Sequence, residues 1–128
     1  MSRGLGDVYK RQVPHKDTKF KNENHGDVSL VLMLLSIIRL LKPNILLPAT
    51  TALGTVDPLG REKGILHGAN VVMPNLSPVK HRKDYSLYDN KICTGDEAAQ
   101  CIGCLADRMK KIGYEIVTDR GDYTENYD

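Results

Sequence analysis

Tryptophan is absent from this 128-residue chain, and phenylalanine occurs only once. The formal net charge is +2, and the basic residues are scattered apart from one short run, 80–83. Nucleic-acid-binding proteins usually carry a basic stripe with aromatic partners, whereas a short basic run is more often a solvated loop. We therefore expect no nucleic-acid partner.

The chain also lacks an apolar run long enough to cross a bilayer. The longest one, Val28–Leu41, is interrupted by Ser29, Ser36 and Arg39, and a spanning helix needs about 20 apolar residues. The run is too far from the N-terminus to be a signal peptide. With 41% hydrophobic and 27% charged residues, we expect one modest soluble domain. Without an export signal, we expect it to be cytoplasmic, with no membrane partner and with reduced thiols.

The first twelve residues, MSRGLGDVYKRQ, show no apolar periodicity. They resemble translated adapter sequence, which is a known scar of sequence assembly, and the alternative is a genuine flexible N-terminus. We interpret residues 1–12 as non-native and exclude them from the fold argument. Under this interpretation the true protein is longer and begins upstream of Val13.

A run of mostly apolar residues with helical start and stop signals follows. Asp27 or Ser29 can cap a helix that runs to Leu41 and is stopped by Pro43. Its apolar positions cover almost the whole circumference, which predicts burial between a sheet and neighbouring helices.

Two short apolar runs, 44–49 and 70–74, read as strands that are buried on both faces. Between them we predict a glycine-rich turn segment, 54–60, and a short helix, 61–67, ended by Gly68. The glycines do not match a phosphate-binding pattern. This alternation predicts an α/β fold with a parallel sheet, and two strands cannot close a barrel. The sequence therefore predicts a piece of a larger α/β domain.

Chemistry in such domains lies at the carboxyl ends of the strands, where Thr50, Thr51 and Met73 fall. Two adjacent hydroxyls can hold a carboxylate, and equally the threonines can cap the following turn. Met73 in a strand is more often core filler than a ligand contact. Tyr85 and Tyr88 either pack as one face of a helix or point into a site, and their spacing slightly favours packing.

All three cysteines fall in one segment with the pattern C-x7-C-x2-C: Cys93, Cys101 and Cys104. Thiolates are soft ligands that suit iron–sulfur clusters or zinc. A zinc site with His67 or His81 as fourth ligand is the closer alternative, and three ordinary buried thiols are another.

A straight helix cannot bring all three thiols together. At about 1.5 Å per residue, Cys93 would lie about 12 Å along the axis from Cys101. A shared site therefore requires a bend between residues 98 and 103, and Gly103 permits one. We expect the main helix to run from about 102 to 112.

Beyond that helix, Gly113 provides the stop signal. Residues 115–117 alternate well enough to predict a short strand. The remaining residues, 120–128, are polar and acidic, and we expect them to fray.

Four blocks of the sequence, in one order, resemble a known family. They are 14–18, 47–55, 68–75 and the cysteine segment. In combination they resemble the C-terminal part of the radical S-adenosylmethionine maturases of iron–iron hydrogenases, the E-type component, which is related to biotin synthase. The resemblance spans 13 to about 122, and the C-x7-C-x2-C spacing separates this family from plain biotin synthases.

The resemblance implies that residues 13–92 are the C-terminal portion of a (β/α)8 TIM-type barrel and that 93–128 form a helical tail. It implies that Cys93, Cys101 and Cys104 bind an accessory iron–sulfur cluster, either [2Fe–2S] or [4Fe–4S]. This set of ligands is carried over from the family.

The same resemblance implies that Thr50 and Thr51 bind a small carboxylate-bearing substrate inside the barrel. Met73, Tyr85 and Tyr88 match positions that line this cavity, contrary to what their spacing and residue type alone favour. It also implies that the parent acts with other hydrogenase maturation proteins.

One departure from the family is large. The C-x3-C-x2-C motif that holds the catalytic [4Fe–4S] cluster is missing, as is the region that binds most of the S-adenosylmethionine. We therefore assign no catalytic residue, and we expect an enzymatic parent and a chain that is inactive alone. The alternatives are a biotin-synthase-like, sulfur-inserting fragment and a stand-alone iron–sulfur or zinc module.

Overall fold

The computed structural model describes residues 13–19, 21–24, 26–74, 76, 78, 80, 81, 84 and 98–121. In that part of the chain the regular elements are four α-helices and two short strands. In chain order they are α1 Val28–Leu41, β1 Pro48–Ala49, α2 Thr51–Val56, α3 Gly60–Leu66, β2 Val71–Val72 and α4 Ala98–Lys111.

Helix α1 begins and ends where the sequence predicts. The Asp27 carboxylate caps it by accepting a hydrogen bond from the Ser29 N–H at 2.9 Å, and Pro43 follows the last turn. This chain provides the predicted burial of α1 on one face only: that face packs on the core, and a second apolar stripe is exposed. The buried residues are Val31, Leu32 and Leu35, and the exposed ones are Leu30, Met33, Ile37, Leu40 and Leu41.

The two strands pair in parallel, with Pro48 opposite Val71 and Ala49 opposite Val72, which confirms the predicted parallel arrangement. The first strand, however, occupies only the last two residues of the predicted run 44–49. Its position is set by pairing rather than by apolar content: the Leu47 N–H donates to Asn70 Oδ1 at 2.8 Å, which aligns the next residues with β2. The barrel itself remains a prediction, since the described residues contain one two-stranded sheet.

The predicted turn segment 54–60 was wrong over its first part, which is helical. Thr50 Oγ1 accepts a hydrogen bond from the Leu53 N–H at 3.1 Å and thereby caps α2. Leu53, only 2% exposed, anchors this short helix in the core. Burial of its apolar face therefore outweighs the poor helix propensity of Gly54.

Helix α3 confirms the predicted short helix and packs closely on β1. A Cβ on Gly64 would lie 3.1 Å from the Ala49 Cβ, so the absence of a side chain permits this approach. Gly68 then ends the segment with φ at +105°, in the left-handed region, and its carbonyl accepts a hydrogen bond from Arg39 Nε at 2.8 Å.

We expect Gly68→Ala to lower the free energy of unfolding by about 1–3 kcal/mol. The new Cβ would sit at a positive φ and 2.7 Å from the Arg39 Cβ. Gly103→Ala is the matched control, because nothing lies within 4 Å of its Cβ position and Ala favours a helix interior. Urea unfolding of both variants checks the pair, and equal stabilities would contradict the strain argument.

Helix α4 joins the same core through Leu105 and Met109, each 2% exposed. The strand predicted at 115–117 was wrong: residues 112–121 have no strand pairing. Ile116 packs against the core while Val117 is 78% exposed, so the alternation of burial is present without a neighbouring strand to bond. No helix within the described ranges is long and apolar enough to span a membrane.

Candidate functional site

Helix α4 carries two of the three cysteines on a continuous helix. The predicted bend between 98 and 103 was wrong, because Ala98–Lys111 is helical throughout. The reason is packing: Cys101, Leu105 and Met109 recur every four residues and are 3%, 2% and 2% exposed. A buried stripe of this spacing stabilises an unbroken helix through Gly103.

Cys101 is buried and Cys104 is exposed, and both thiols are free. A spacing of three residues places them as neighbours on one side of the helix. Two adjacent soft donors, one of them open to solvent, fit the thiolate ligation of a metal centre. Cys93 lies outside the described residues.

Within the residues that the structure describes, no group of three or more His, Cys, Asp or Glu side chains is arranged to hold a metal ion. The two histidines considered as zinc ligands make local contacts. His67 Nδ1 lies 2.7 Å from the Lys63 carbonyl, and His81 Nδ1 lies 3.5 Å from Asp84 Oδ2.

A partly buried ion pair attaches the cysteine-bearing helix to α3. Arg108 Nε donates to Glu62 Oε1, Nη2 donates to Oε2 at 2.7 Å, and Nη2 also donates to the Pro58 carbonyl. Two parallel hydrogen bonds between guanidinium and carboxylate fix direction as well as distance. Nothing in the sequence marks this pair, since its partners are 46 residues apart and neither belongs to a motif.

Opposing effects act on the pKa of Glu62. Burial raises it, but hydrogen bonds from Arg108 and from the backbone, with the positive charges of Arg108 and Arg61, outweigh burial. The pKa therefore lies below its ordinary value of 4.5.

This lowered pKa predicts acid sensitivity. Because the folded-state pKa of Glu62 lies below the unfolded value, the stabilisation is complete above about pH 4.5 and is lost as pH falls through the lowered value. We expect the melting temperature to drop as pH falls below about 4.5, and less so in Glu62→Gln. Circular dichroism melts of both proteins check this, and identical pH profiles would contradict it. The pKa of Asp57 is also lowered, chiefly by a hydrogen bond from Lys63, so Asp57 contributes to the pH dependence of the melting temperature that remains in Glu62→Gln.

The predicted carboxylate-binding threonines occupy the start of α2. Thr50 caps the helix, as the alternative interpretation held, while the half-buried Thr51 makes a different contact. Its Oγ1 accepts a hydrogen bond from Arg61 Nη2 at 3.2 Å. Met73 follows β2 and is 50% exposed, so it is not core filler in this structure. Tyr85 and Tyr88 lie outside the described residues.

Arg61 is the residue near this site that sequence reasoning missed. It is 2% exposed, although it reads in the sequence as the polar first position of a short helix. Its Nε has no hydrogen-bond partner among the described residues. A buried, incompletely paired guanidinium leaves no sequence signal, because burial is decided by how α2 and α3 pack.

The parallel strand pair with its helical crossover, next to a helix with two free thiols, defines an α/β arrangement with a candidate thiolate metal site. The chain is 41% identical over 109 residues to the [FeFe] hydrogenase maturase subunit HydE of Thermotoga maritima. The match covers 85% of this chain and 31% of that protein, so the chain spans about a third of the relative's length. No family model matches the chain. The similarity confirms the resemblance drawn from the sequence blocks.

Proposed function

We propose that this chain is the C-terminal part of a radical S-adenosylmethionine enzyme that matures iron–iron hydrogenases. The observation that carries the proposal is the 41% identity to a hydrogenase maturase subunit across 85% of the chain. Under this proposal, residues 1–12 are non-native, 13–92 belong to a (β/α)8 barrel, and 93–128 form the tail that binds the accessory cluster. The exposed apolar stripe of α1 supports a larger barrel, since a surface of this kind is normally covered.

The accessory cluster is held by Cys93, Cys101 and Cys104. Support comes from α4, where Cys101 and Cys104 are neighbours and the Arg108–Glu62 pair holds the helix against α3. Such a cluster supplies a redox-active iron centre, and three protein thiolates leave one position for another ligand. A [2Fe–2S] and a [4Fe–4S] cluster are both compatible with this set of ligands.

The substrate is a small molecule with a carboxylate that Thr50 and Thr51 contact, in a cavity also lined by Met73, Tyr85 and Tyr88. The catalytic [4Fe–4S] cluster and most of the S-adenosylmethionine site belong to the full-length parent, which we place in the cytoplasm with other hydrogenase maturation proteins. This chain alone is inactive, because the C-x3-C-x2-C motif is missing from it.

Anaerobic reconstitution tests the metal site. We expect the full chain, incubated with iron and sulfide, to develop broad visible absorption with bound iron and sulfide in cluster stoichiometry. A parallel sample with zinc alone is the comparison. Zinc binding with no iron–sulfur absorption would overturn the cluster assignment.

A second measurement tests the assignment of activity to the parent. The reconstituted chain, reduced anaerobically with S-adenosylmethionine, should form no 5′-deoxyadenosine. Detection of that product above the level of a protein-free control would contradict it.

A further inference from the structure

Arg61 is a buried cation whose charge is not hydrogen-bonded to a carboxylate in the described part of the chain. Its side chain is 2% exposed, its Nη2 donates to Thr51 Oγ1 at 3.2 Å, and its Nε has no partner there. A buried charge without a counter-charge is costly, so proteins pair such groups.

The carboxylate of Glu62, which follows Arg61 in the sequence, is already engaged by Arg108. Arg61 and Glu62 interact through their charges, but both carboxylate oxygens of Glu62 accept hydrogen bonds from Arg108. Arg61 therefore contributes positive potential at the start of α2 that this ion pair does not cancel through a direct contact.

The contact with Arg61 also determines how Thr51 can bind a ligand. A hydroxyl can donate one hydrogen bond and accept others. The guanidinium can only donate, so Thr51 Oγ1 acts as the acceptor in this pair. The Thr51 hydroxyl hydrogen has no acceptor among the described residues, and the side chain is half-buried rather than enclosed. The Thr51 hydroxyl can therefore donate its hydrogen to a bound ligand.

We propose that Arg61 is a positioning residue that holds Thr51 as a hydrogen-bond donor to an anionic ligand and makes the site prefer a carboxylate over its neutral amide. This proposal rests on the proposed function of Thr51 in binding a carboxylate, and it adds the source of charge selectivity. Arg61 acts through Thr51 and through its buried charge, because its own burial keeps it from touching the ligand.

Acetate and acetamide are the probes, since they share a shape and differ in charge. The full chain is titrated with each while the Thr51 methyl signal is followed by NMR. We expect saturable acetate binding at least about tenfold tighter than acetamide binding, as charge-assisted hydrogen bonds are roughly twice as strong as neutral ones. Thr51→Val should abolish the response to acetate, followed there by the Thr50 methyl signal, while Thr51→Ser should keep it.

Arg61→Met should weaken acetate binding and bring the acetate-to-acetamide ratio close to one. Arg61→Lys keeps the charge without the planar fork, so it should bind acetate more weakly but retain the preference. This variant also keeps the test open if Arg61→Met does not fold. Lys111→Met, which removes one charge from an exposed position of α4, is the control and should leave the ratio unchanged.

The possible failures are distinguishable. If the unaltered chain binds acetate and Thr51→Val does not, but both Arg61 variants keep the affinity and the ratio of the unaltered chain, the role of Arg61 is overturned and the proposed carboxylate site stands. If the unaltered chain shows no saturable response to acetate, the carboxylate site is overturned, and the inference about Arg61 with it.

Discussion

Replacing Cys104 by alanine is expected to abolish the iron–sulfur absorption of the reconstituted chain without lowering the stability of the metal-free chain. Cys104 is exposed on α4, so its thiol contributes little to packing. Alanine is also the best helix former, which favours the metal-free helix by a few tenths of a kcal/mol. Visible absorption and iron content measure the first effect, and thermal melts of metal-free protein measure the second.

Cys101→Ala should also abolish the absorption, but with a cost to the metal-free fold. Cys101 is 3% exposed and shares a buried stripe with Leu105 and Met109. Removing one buried heavy atom costs about 1 kcal/mol. Both cysteine variants should therefore lose the iron–sulfur absorption, but only Cys101→Ala should lower the stability of the metal-free chain. If α4 did not pack on the core, the two variants would not differ in stability.

Ile102→Ala is the control for both variants. Ile102 lies between the two cysteines, is 46% exposed and offers no metal ligand. It should leave the absorption and iron content at the level of the unaltered chain. Full cluster absorption in Cys104→Ala would exclude that thiol as a ligand and would contradict the proposed site.

The second large effect concerns the ion pair between α4 and α3. Arg108→Met is expected to lower the free energy of unfolding by about 1–3 kcal/mol, because the pair is partly buried and lies between the exposed and the fully buried cases. The side chains of Glu62 and Arg108 are 9% and 26% exposed, so the variant leaves a largely buried carboxylate without its counter-charge. Urea unfolding at pH 7 measures the change.

A double variant separates loss of the pair from the cost of an orphaned charge. Glu62→Leu with Arg108→Met should be less destabilising than Arg108→Met alone, because neither buried charge then remains. Lys63→Met breaks the more exposed pair with Asp57, in which the lysine side chain is 46% exposed, and should change stability by less than about 1 kcal/mol. Equal losses of stability in Arg108→Met and Lys63→Met would contradict the importance assigned to the Arg108–Glu62 pair.

Local signals in the sequence were sufficient for several elements. Asp27 marks the start of α1 and Pro43 follows its end, because helix capping and the missing proline N–H act within a few residues. Gly68 ends α3 for a similarly local reason, its positive φ. The parallel pairing of β1 and β2 followed from the alternation of strand and helix. The family resemblance, confirmed by the similarity to HydE, also came from the order of the sequence blocks.

Features that depend on contacts between distant residues were not predictable in this way. The start of β1 at Pro48 depends on Asn70, and the unbroken α4 depends on the core that receives Leu105 and Met109. The bend near Gly103 was predicted because three thiols that share one site must lie close together. The backbone is instead a continuous helix, because its buried stripe packs on the core. The pairing of Glu62 with Arg108 and the burial of Arg61 depend on how α2, α3 and α4 pack together, so neither could be predicted from the sequence. The sequence alone determined the helix caps, the turns, the spacing of the thiols and the family resemblance, since these depend on neighbouring residues or on comparison of sequences. Tertiary structure decided strand register, helix continuity and which charges are buried, since these depend on neighbours far apart along the chain.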